Sequence, residues 1–153
     1  VRVSGKKWEP LVTEITDIYY GVKRIEEAKC GGLIAIGTTI DPALTKRNAL
    51  AGSVVGLSGA LPDTRYHLTI DTHLFETAIG TREMVRVTKP RSGEPLLLVV
   101  GTAKTAGVVS SVRGDVIEVD LRRPVCCDEG QPVAINRNIR GHWRLIGYGT
   151  VVS

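Results

Sequence analysis

The sequence predicts an all-β protein. Valine, isoleucine and threonine account for 45 of the 153 residues, and branched side chains of this kind suit pleated strands. The 17 glycines divide the chain into short segments, as expected of strands joined by tight turns. With 24% charged and 42% hydrophobic residues the composition is that of a globular protein, and the apolar runs are too short to span a membrane.

The first third of the chain contains three candidate strands. Leu11–Tyr20 is a mixed alternating segment that ends at Gly21, and the apolar segments Gly31–Gly37 and Ala51–Leu57 are each bounded by turn residues. Between the last two lies Thr38–Asn48, which we expect to be a polar loop. The pattern predicts a small sheet in this part of the chain.

A domain boundary is predicted where turn residues cluster between Ser58 and Asp63. The expected organisation is therefore one unit over residues 1–59, a linker over 60–64 and a second unit over 65–153. Immediately after the linker, His67–Phe75 alternates between apolar and polar side chains. Leu68, Ile70, Thr72 and Leu74 should face the core of the second unit.

Short strands at close spacing predict that the second unit is a small closed barrel. In Val116–Arg122, the residues Ile117, Val119 and Leu121 should point inward, whereas unbroken Leu96–Val100 should lie centrally or be buried on both faces. Glu76–Glu83 is the only segment expected to form a helical turn. The remaining predicted strands are Met84–Thr88, Gly107–Val112, Val133–Ile139 and Trp143–Val152.

The C-terminal segment is a candidate RNA-facing edge. The net charge is +4, and residues 131–153 contain three arginines and no acidic residue. Arginine binds phosphate oxygens through its planar fork, so we predict phosphate contacts by Arg137, Arg140 and Arg144. His142, in the predicted turn, either meets RNA or closes a hairpin. The alternative is a solvated rim in which the arginines pair with acids of other strands, namely Glu118, Asp120 or Glu129.

Two aromatic residues of the last strand could offer stacking faces to bases, namely Trp143 and Tyr148. Core packing is the more common role of a large aromatic residue in a small barrel. We therefore expect Trp143 in the core.

No metal site or catalytic group is predicted. Vicinal Cys126 and Cys127 lack the spacer of a zinc knuckle, and with Cys30 they are expected to be small buried hydrophobes in a reducing cytosol. His67, Asp71 and His73 share one face of a strand, which we interpret as a polar surface. The sequence has no glycine-rich phosphate loop followed by Lys and Ser or Thr, so no guanine nucleotide should bind. The Asp-Thr pairs lack the glycine of an aspartic protease turn.

Four runs of residues, in chain order, resemble the archaeal type of the gamma subunit family of translation initiation factor 2. They are Gly31–Thr38, Asp41–Lys46, Val99–Ala103 and Gly141–Gly149. The similarity extends over nearly the whole chain, and the His-Trp-Arg-Leu-Ile-Gly run from His142 to Gly147 is its most specific part.

The resemblance implies two β-barrels of the translation-factor type, the first incomplete, because residues 1–59 match only the later part of the family's second domain. Residues 65–153 match the whole third domain. The family's GTP-binding domain, with its GTP and magnesium ligands, has no counterpart here. The chain is therefore expected to be the non-catalytic barrel part of a cytoplasmic GTPase that delivers methionyl initiator tRNA to the small ribosomal subunit, with no membrane contact.

The resemblance also implies partners and contact residues. The second domain would bind the aminoacylated tRNA end through the region of Gly37, Thr38, Lys46 and Arg47, and would dock the alpha subunit. The beta subunit would bind the missing domain. The arginines of the third domain would approach tRNA or ribosomal RNA. Two alternatives stay open: the barrels of another tRNA-delivery GTPase, such as the selenocysteine-specific elongation factor, or a small β-barrel hydrolase using His67 or His73.

Overall fold

A computed structural model describes residues 8–29, 31–81 and 83–153. Its internal contacts divide the chain into two compact units, Val1–Leu50 and Ala51–Ser153. The division falls before the linker expected at 60–64. In the described part of the chain no helix is long and apolar enough to cross a membrane.

The first unit contains a three-stranded antiparallel sheet. Its strands are β1 (Ile15–Tyr20), β2 (Lys23–Ile25) and β3 (Ala35–Thr38), with β1 in the middle. The expected loop after β3 instead forms the short helix α1 (Pro42–Thr45) and a 3₁₀ turn (Lys46–Asn48). The helix begins here because Asp41 Oδ1 accepts a hydrogen bond from the Ala43 amide, 2.8 Å away, and proline occupies the first turn.

The sheet of the first unit has little apolar cover. Within residues 8–29 and 31–50 no side chain is buried, and Ile15, Tyr20 and Ile36 are among those that are exposed. A three-stranded sheet needs a hydrophobic face packed against something to be stable alone. This unit is therefore the less stable part of the isolated chain.

Hydrogen exchange on residues 1–153 is expected to show this difference. Amides of β1 should exchange through openings of low free energy, whereas amides of Ile117 to Leu121 in the second unit should exchange only on global unfolding. Mass spectrometry of peptic peptides over an exchange series measures both. Equal protection of the two strands would contradict the prediction.

The second unit is a closed antiparallel barrel of six strands in the order β4-β7-β6-β5-β8-β9. Leucine, isoleucine and valine side chains fill its interior, with Leu68, Ile70, Leu98, Val119 and Ile135 at 1% exposure or less. The strands are β4 (Thr64–Ile79), β5 (Pro95–Val100), β6 (Ala103–Arg113), β7 (Val116–Cys126), β8 (Pro132–Ile139) and β9 (His142–Val151).

The alternation that predicted the barrel strands is confirmed in β4 and β7. Leu68, Ile70 and Thr72 are buried on β4, and Ile117 and Val119 are buried on β7, each between more exposed neighbours. β5 pairs with β6 and β8, as every strand of a closed barrel pairs with two neighbours, and it is not buried on both faces. Its side chains still alternate, because Leu97 and Val99 face outward and are only half-buried.

Three local predictions are wrong. Glu76–Glu83 is not a helical turn, because β4 continues to Ile79 after an irregularity in its pairing with β9. Met84–Thr88 is not a barrel strand and makes only an isolated bridge between Arg86 and Thr77. The segment Ala51–Leu57 forms turns and irregular chain.

Residues 51–63 are connected to the barrel by close contacts. Gly52 lies so near Thr102 and Ala103 that an added Cβ would be 2.9 Å from the Ala103 Cα atom. Cys126 donates a hydrogen bond from Sγ to the Pro62 carbonyl, 3.0 Å away. These contacts explain why this segment belongs to the second unit rather than to the first.

Two glycines allow β9 to close the barrel against β4. An ideal Cβ at Gly147 would lie 2.5 Å from the His73 carbonyl oxygen, and one at Gly149 would lie 2.5 Å from the Asp71 carbonyl oxygen. Backbone atoms cannot move aside as the end of a flexible side chain can. Closure therefore depends on the absence of side chains at these two positions.

Candidate nucleic-acid interface

The candidate interface is the hairpin that joins β8 to β9. Ile139 pairs with His142, so Arg140 and Gly141 form a two-residue loop. Their φ angles are 51° and 84°, the positive values that a type I′ turn requires at both central positions. Asn138 Oδ1 accepts a hydrogen bond from the Gly141 amide, 2.9 Å away, which holds the turn.

Arg140 at the hairpin tip pairs with Glu83, 3.0 Å away, and both side chains are more than two-thirds exposed. An ion pair in this much solvent contributes little, about 0–1 kcal/mol. The Arg140 guanidinium can therefore exchange Glu83 for another anion at small cost.

Arg137 is placed differently. Its Nε and Nη2 atoms donate to both carboxylate oxygens of Glu94, at 2.5 and 3.2 Å, and the two side chains are only 17% and 20% exposed. The C-terminal segment lacks acidic residues along the sequence, but it does not lack them in space. The partners differ from those considered in the rim alternative, since Asp120 pairs with His67 and Glu129 lies 3.9 Å from Arg65.

Arg144 lies against the turn that follows β4. A Cβ added at Gly80 would be 3.2 Å from Arg144 Nη1, so the half-buried guanidinium extends across this glycine. In the described part of the chain no carboxylate lies within 4.0 Å of it. A shallow cleft of about 200 Å³ opens here, lined by Thr81, Glu83, Val85, Ile139, Arg140, His142 and Arg144.

The prediction that Trp143 packs in the core is wrong. The side chain is 41% exposed and opposite Asn138 on β8, beyond the last β4–β9 pair of Ile79 with Leu145. The hairpin of β8 and β9 extends past the end of β4. Within the described residues, no strand therefore covers Trp143 on the side where β4 pairs with β9. Tyr148 is 52% exposed and its ring centre lies 5.2 Å from that of His73.

The residues predicted to bind tRNA lie on two elements of the first unit. Gly37 and Thr38 belong to β3, where they pair with Asp17 and Ile15 of β1. Lys46 and Arg47 form an exposed turn after α1. Arg47 has a φ of 55°, so both candidate regions contain an arginine in the left-handed backbone conformation.

The other titratable groups do not converge on a reactive centre. No group of three metal-ligating side chains occurs within residues 8–29, 31–81 and 83–153. Burial raises the pKa of the Cys126 and Cys127 thiols, so both are poor nucleophiles at neutral pH, and Cys127 is 2% exposed. Cys30 lies outside the described residues. Hydrogen bonding to Lys89, followed by its charge, lowers the pKa of Asp115.

The fold defines an all-β protein centred on a closed six-stranded barrel with a cationic hairpin. Residues 66–151 match the family described as "Initiation factor eIF2 gamma, C terminal". The chain belongs to this family.

Archaeal relatives extend the similarity over the first unit. The gamma subunit of translation initiation factor 2 from Archaeoglobus fulgidus is 49% identical over 151 residues, which is 99% of this chain and 36% of that protein. The subunit from Methanocaldococcus jannaschii is 48% identical over 144 residues, which is 94% and 35%. The chain therefore spans about a third of the length of these relatives.

Sequence reasoning predicted the arginines of the candidate interface but not their surroundings. Glu94 and Glu83 are 43 and 57 residues away from the arginines that they contact, and no local pattern reports such pairs. Val85 and Ile139, the apolar side chains of the cleft lining, fall in predicted strands, and the sequence assigns them no role. The sequence signal that indicates this site is an arginine followed by a glycine in a two-residue turn, because such a turn exposes the arginine side chain.

Proposed function

We propose that this chain is the non-catalytic barrel part of a GTP-dependent initiation factor that delivers methionyl initiator tRNA to the small ribosomal subunit. The observation that carries the proposal is the 40–49% identity to gamma subunits of initiation factor 2 over 94–99% of the chain. The names of these relatives favour it over a selenocysteine-specific factor. The described residues contain no convergent acid, base and nucleophile, so nothing in them favours a hydrolase.

GTP and magnesium belong to a part of the factor outside residues 1–153. A phosphate site needs glycines that let backbone amides approach the anion, followed by Lys and Ser or Thr. The sequence has no such run, so its residues do not fit the nucleotide. In this proposal the beta subunit contacts that other part, the alpha subunit docks on the first unit, and the factor acts in the cytoplasm.

The first unit would contribute to holding the aminoacylated tRNA end. Lys46 and Arg47 provide two exposed cations on one turn, and Gly37 and Thr38 lie at the end of β3. Two cations can neutralise two phosphate groups at the end of the tRNA acceptor strand.

The second unit would contact RNA through its hairpin. Arg140 and Arg144 carry the charge, and His142 adds a hydrogen-bonding ring to the same cleft. Arg137 does not share this role, because its donors are already bound to Glu94. The positive edge is thus two arginines rather than three.

Replacing Arg140 and Arg144 together with glutamine is expected to weaken RNA binding and flatten its salt dependence. Each lost phosphate contact reduces the slope of log affinity against log salt by about 0.9 on a duplex, so the double variant should lose about 2 units. Filter binding of initiator tRNA and of a small-subunit ribosomal RNA helix over a salt series measures this slope.

The matched control is Arg122→Gln. Arg122 is exposed on β7, a strand that neighbours β4 and β6 but neither strand of the hairpin. Its loss changes the net charge without touching the cleft. If Arg122→Gln and the double variant have the wild-type slope with both RNAs, the hairpin is not an RNA-binding edge.

A further inference from the structure

The size of the cleft beside the hairpin limits what it can hold. Its volume is about 200 Å³. Sites for cofactors and drug-sized molecules usually measure about 300–1,000 Å³. The cleft therefore has room for one ring system and not for a larger molecule.

The chemistry of the cleft is divided between its floor and its rim. Val85 and Ile139 are half-buried apolar side chains that pack against the barrel core. Arg140 and Arg144 provide the cations of the rim, His142 adds an imidazole ring, and Glu83 is the carboxylate among the described residues of the lining. Aliphatic side chains can cover the apolar face of an aromatic ring, and the arginines of the rim suit the anionic groups attached to that ring.

Arg144 has no carboxylate partner among the described residues. It is half-buried along the cleft, and in the described part of the chain no carboxylate lies within 4.0 Å of it. In the described part of the chain no buried side-chain nitrogen lacks a hydrogen-bond partner, so the donors of Arg144 that have no partner are open to solvent and to a ligand. A phosphate at the mouth of the cleft would supply an anionic partner, with two of its oxygens accepting hydrogen bonds from the guanidinium.

We propose that the cleft takes a single unpaired nucleotide of an RNA. Its base packs on Val85 and Ile139, and the phosphates on either side of it bind Arg140 and Arg144. A paired base cannot enter, because the bases of an A-form duplex are stacked and its major groove is too narrow for side chains. The inference rests on the proposed function and specifies the RNA feature that this edge selects, namely a bulged or looped-out nucleotide.

The Arg140–Glu83 pair must open when the nucleotide enters. A phosphate then replaces the Glu83 carboxylate as the partner of Arg140. Because the pair is exposed and weak, Glu83→Gln should tighten RNA binding about twofold to fivefold by removing the competing anion. A merely structural role of Glu83 would instead leave RNA affinity unchanged.

The test compares two RNA hairpins of equal length and charge with the full chain of 153 residues. One carries 2-aminopurine as a single-nucleotide bulge, and in the other the same base is paired. We expect about tenfold tighter binding of the bulged RNA, because only the unpaired base can bury a face against Val85 and Ile139, and a change in 2-aminopurine fluorescence on binding. Arg144→Gln and Val85→Glu should each remove the preference, and Arg122→Gln should keep it.

The outcomes separate the inference from the proposed function. Equal affinity for the two RNAs with a normal salt slope overturns the inference and leaves the RNA-binding edge intact. A bulge preference that survives both cleft variants also overturns it, because the base must then bind elsewhere. If the chain binds neither RNA, the proposed RNA-facing edge fails and the inference falls with it. Circular dichroism melts establish that each variant is folded, and Arg144→Gln alone decides if Val85→Glu unfolds.

Discussion

Gly149→Val is expected to prevent the barrel from closing. The new side chain would meet Ile70 Cγ2 and, 2.5 Å away, the carbonyl oxygen of Asp71 on the neighbouring strand. Relief would require β9 to move away from β4, which would break the pairs on both sides of position 149. Overpacking of this kind costs about 3 kcal/mol or more, a large part of the roughly 5–15 kcal/mol that stabilises a domain. Urea denaturation followed by circular dichroism measures the loss.

The matched control is Gly93→Ala. Gly93 has a φ of 83°, but nothing lies within 4 Å of an added Cβ. Its replacement should cost only the backbone strain of a left-handed residue, about 1–2 kcal/mol. If Gly149→Val is no more destabilising than Gly93→Ala, steric closure of the barrel is not the reason for glycine at position 149.

Glu94→Ala is expected to destabilise the barrel by about 2 kcal/mol. The change leaves the Arg137 guanidinium, 17% exposed, without its two charged hydrogen bonds. A fully buried pair would lose about 3–5 kcal/mol, and the remaining solvent access lowers that figure toward the 1.5–3 kcal/mol of hydrogen bonds to charged groups. The pair joins β8 to the turn before β5, so its loss should weaken that side of the barrel.

A double-mutant cycle with Glu94→Ala and Arg137→Ala isolates this pair. The coupling free energy should exceed about 1 kcal/mol, and Arg137→Ala alone should leave the salt slope of RNA binding at the wild-type value. A coupling near zero would mean that the pair contributes nothing. A flattened salt slope would return Arg137 to the proposed RNA-binding edge.

The central strands could be predicted because their burial repeats every two residues. In β7, Ile117 and Val119 alternate with Glu118 and Asp120, and this pattern fixes which face is inside. The same two-residue period predicted a closed barrel. Each of several short strands has one apolar face, and a barrel covers all of these faces in one interior.

The ends of the strands could not be predicted in the same way. Glu76–Ile79 has the polar and small residues of a turn, yet it stays in β4 because the pairing partner Leu145 lies on a strand far along the chain. Met84–Thr88 has strand composition but finds only one bridging partner, Thr77. Composition describes a segment, whereas strand pairing depends on what tertiary contact brings alongside it.

The candidate site shows the same limit. A run of arginines on one hairpin predicted a positive edge, but only the fold separates Arg137, whose donors are bound to Glu94, from Arg144, which lines the cleft. The exposed position of Trp143 follows from the difference in length between two strands that meet in the barrel. Neither fact is written in the local sequence.

Two requirements conflict at position 140, namely the left-handed backbone conformation of the turn and the positive charge of the side chain. A φ of 51° suits glycine or asparagine better than arginine, so either replacement would relax the turn while removing a cation from the tip that is proposed to bind RNA. Selection for thermal stability alone would therefore move position 140 away from arginine, and selection for RNA affinity would hold it there. The residue that is most frequent at position 140 after selection of a variant library would show whether thermal stability or RNA affinity is the stronger requirement.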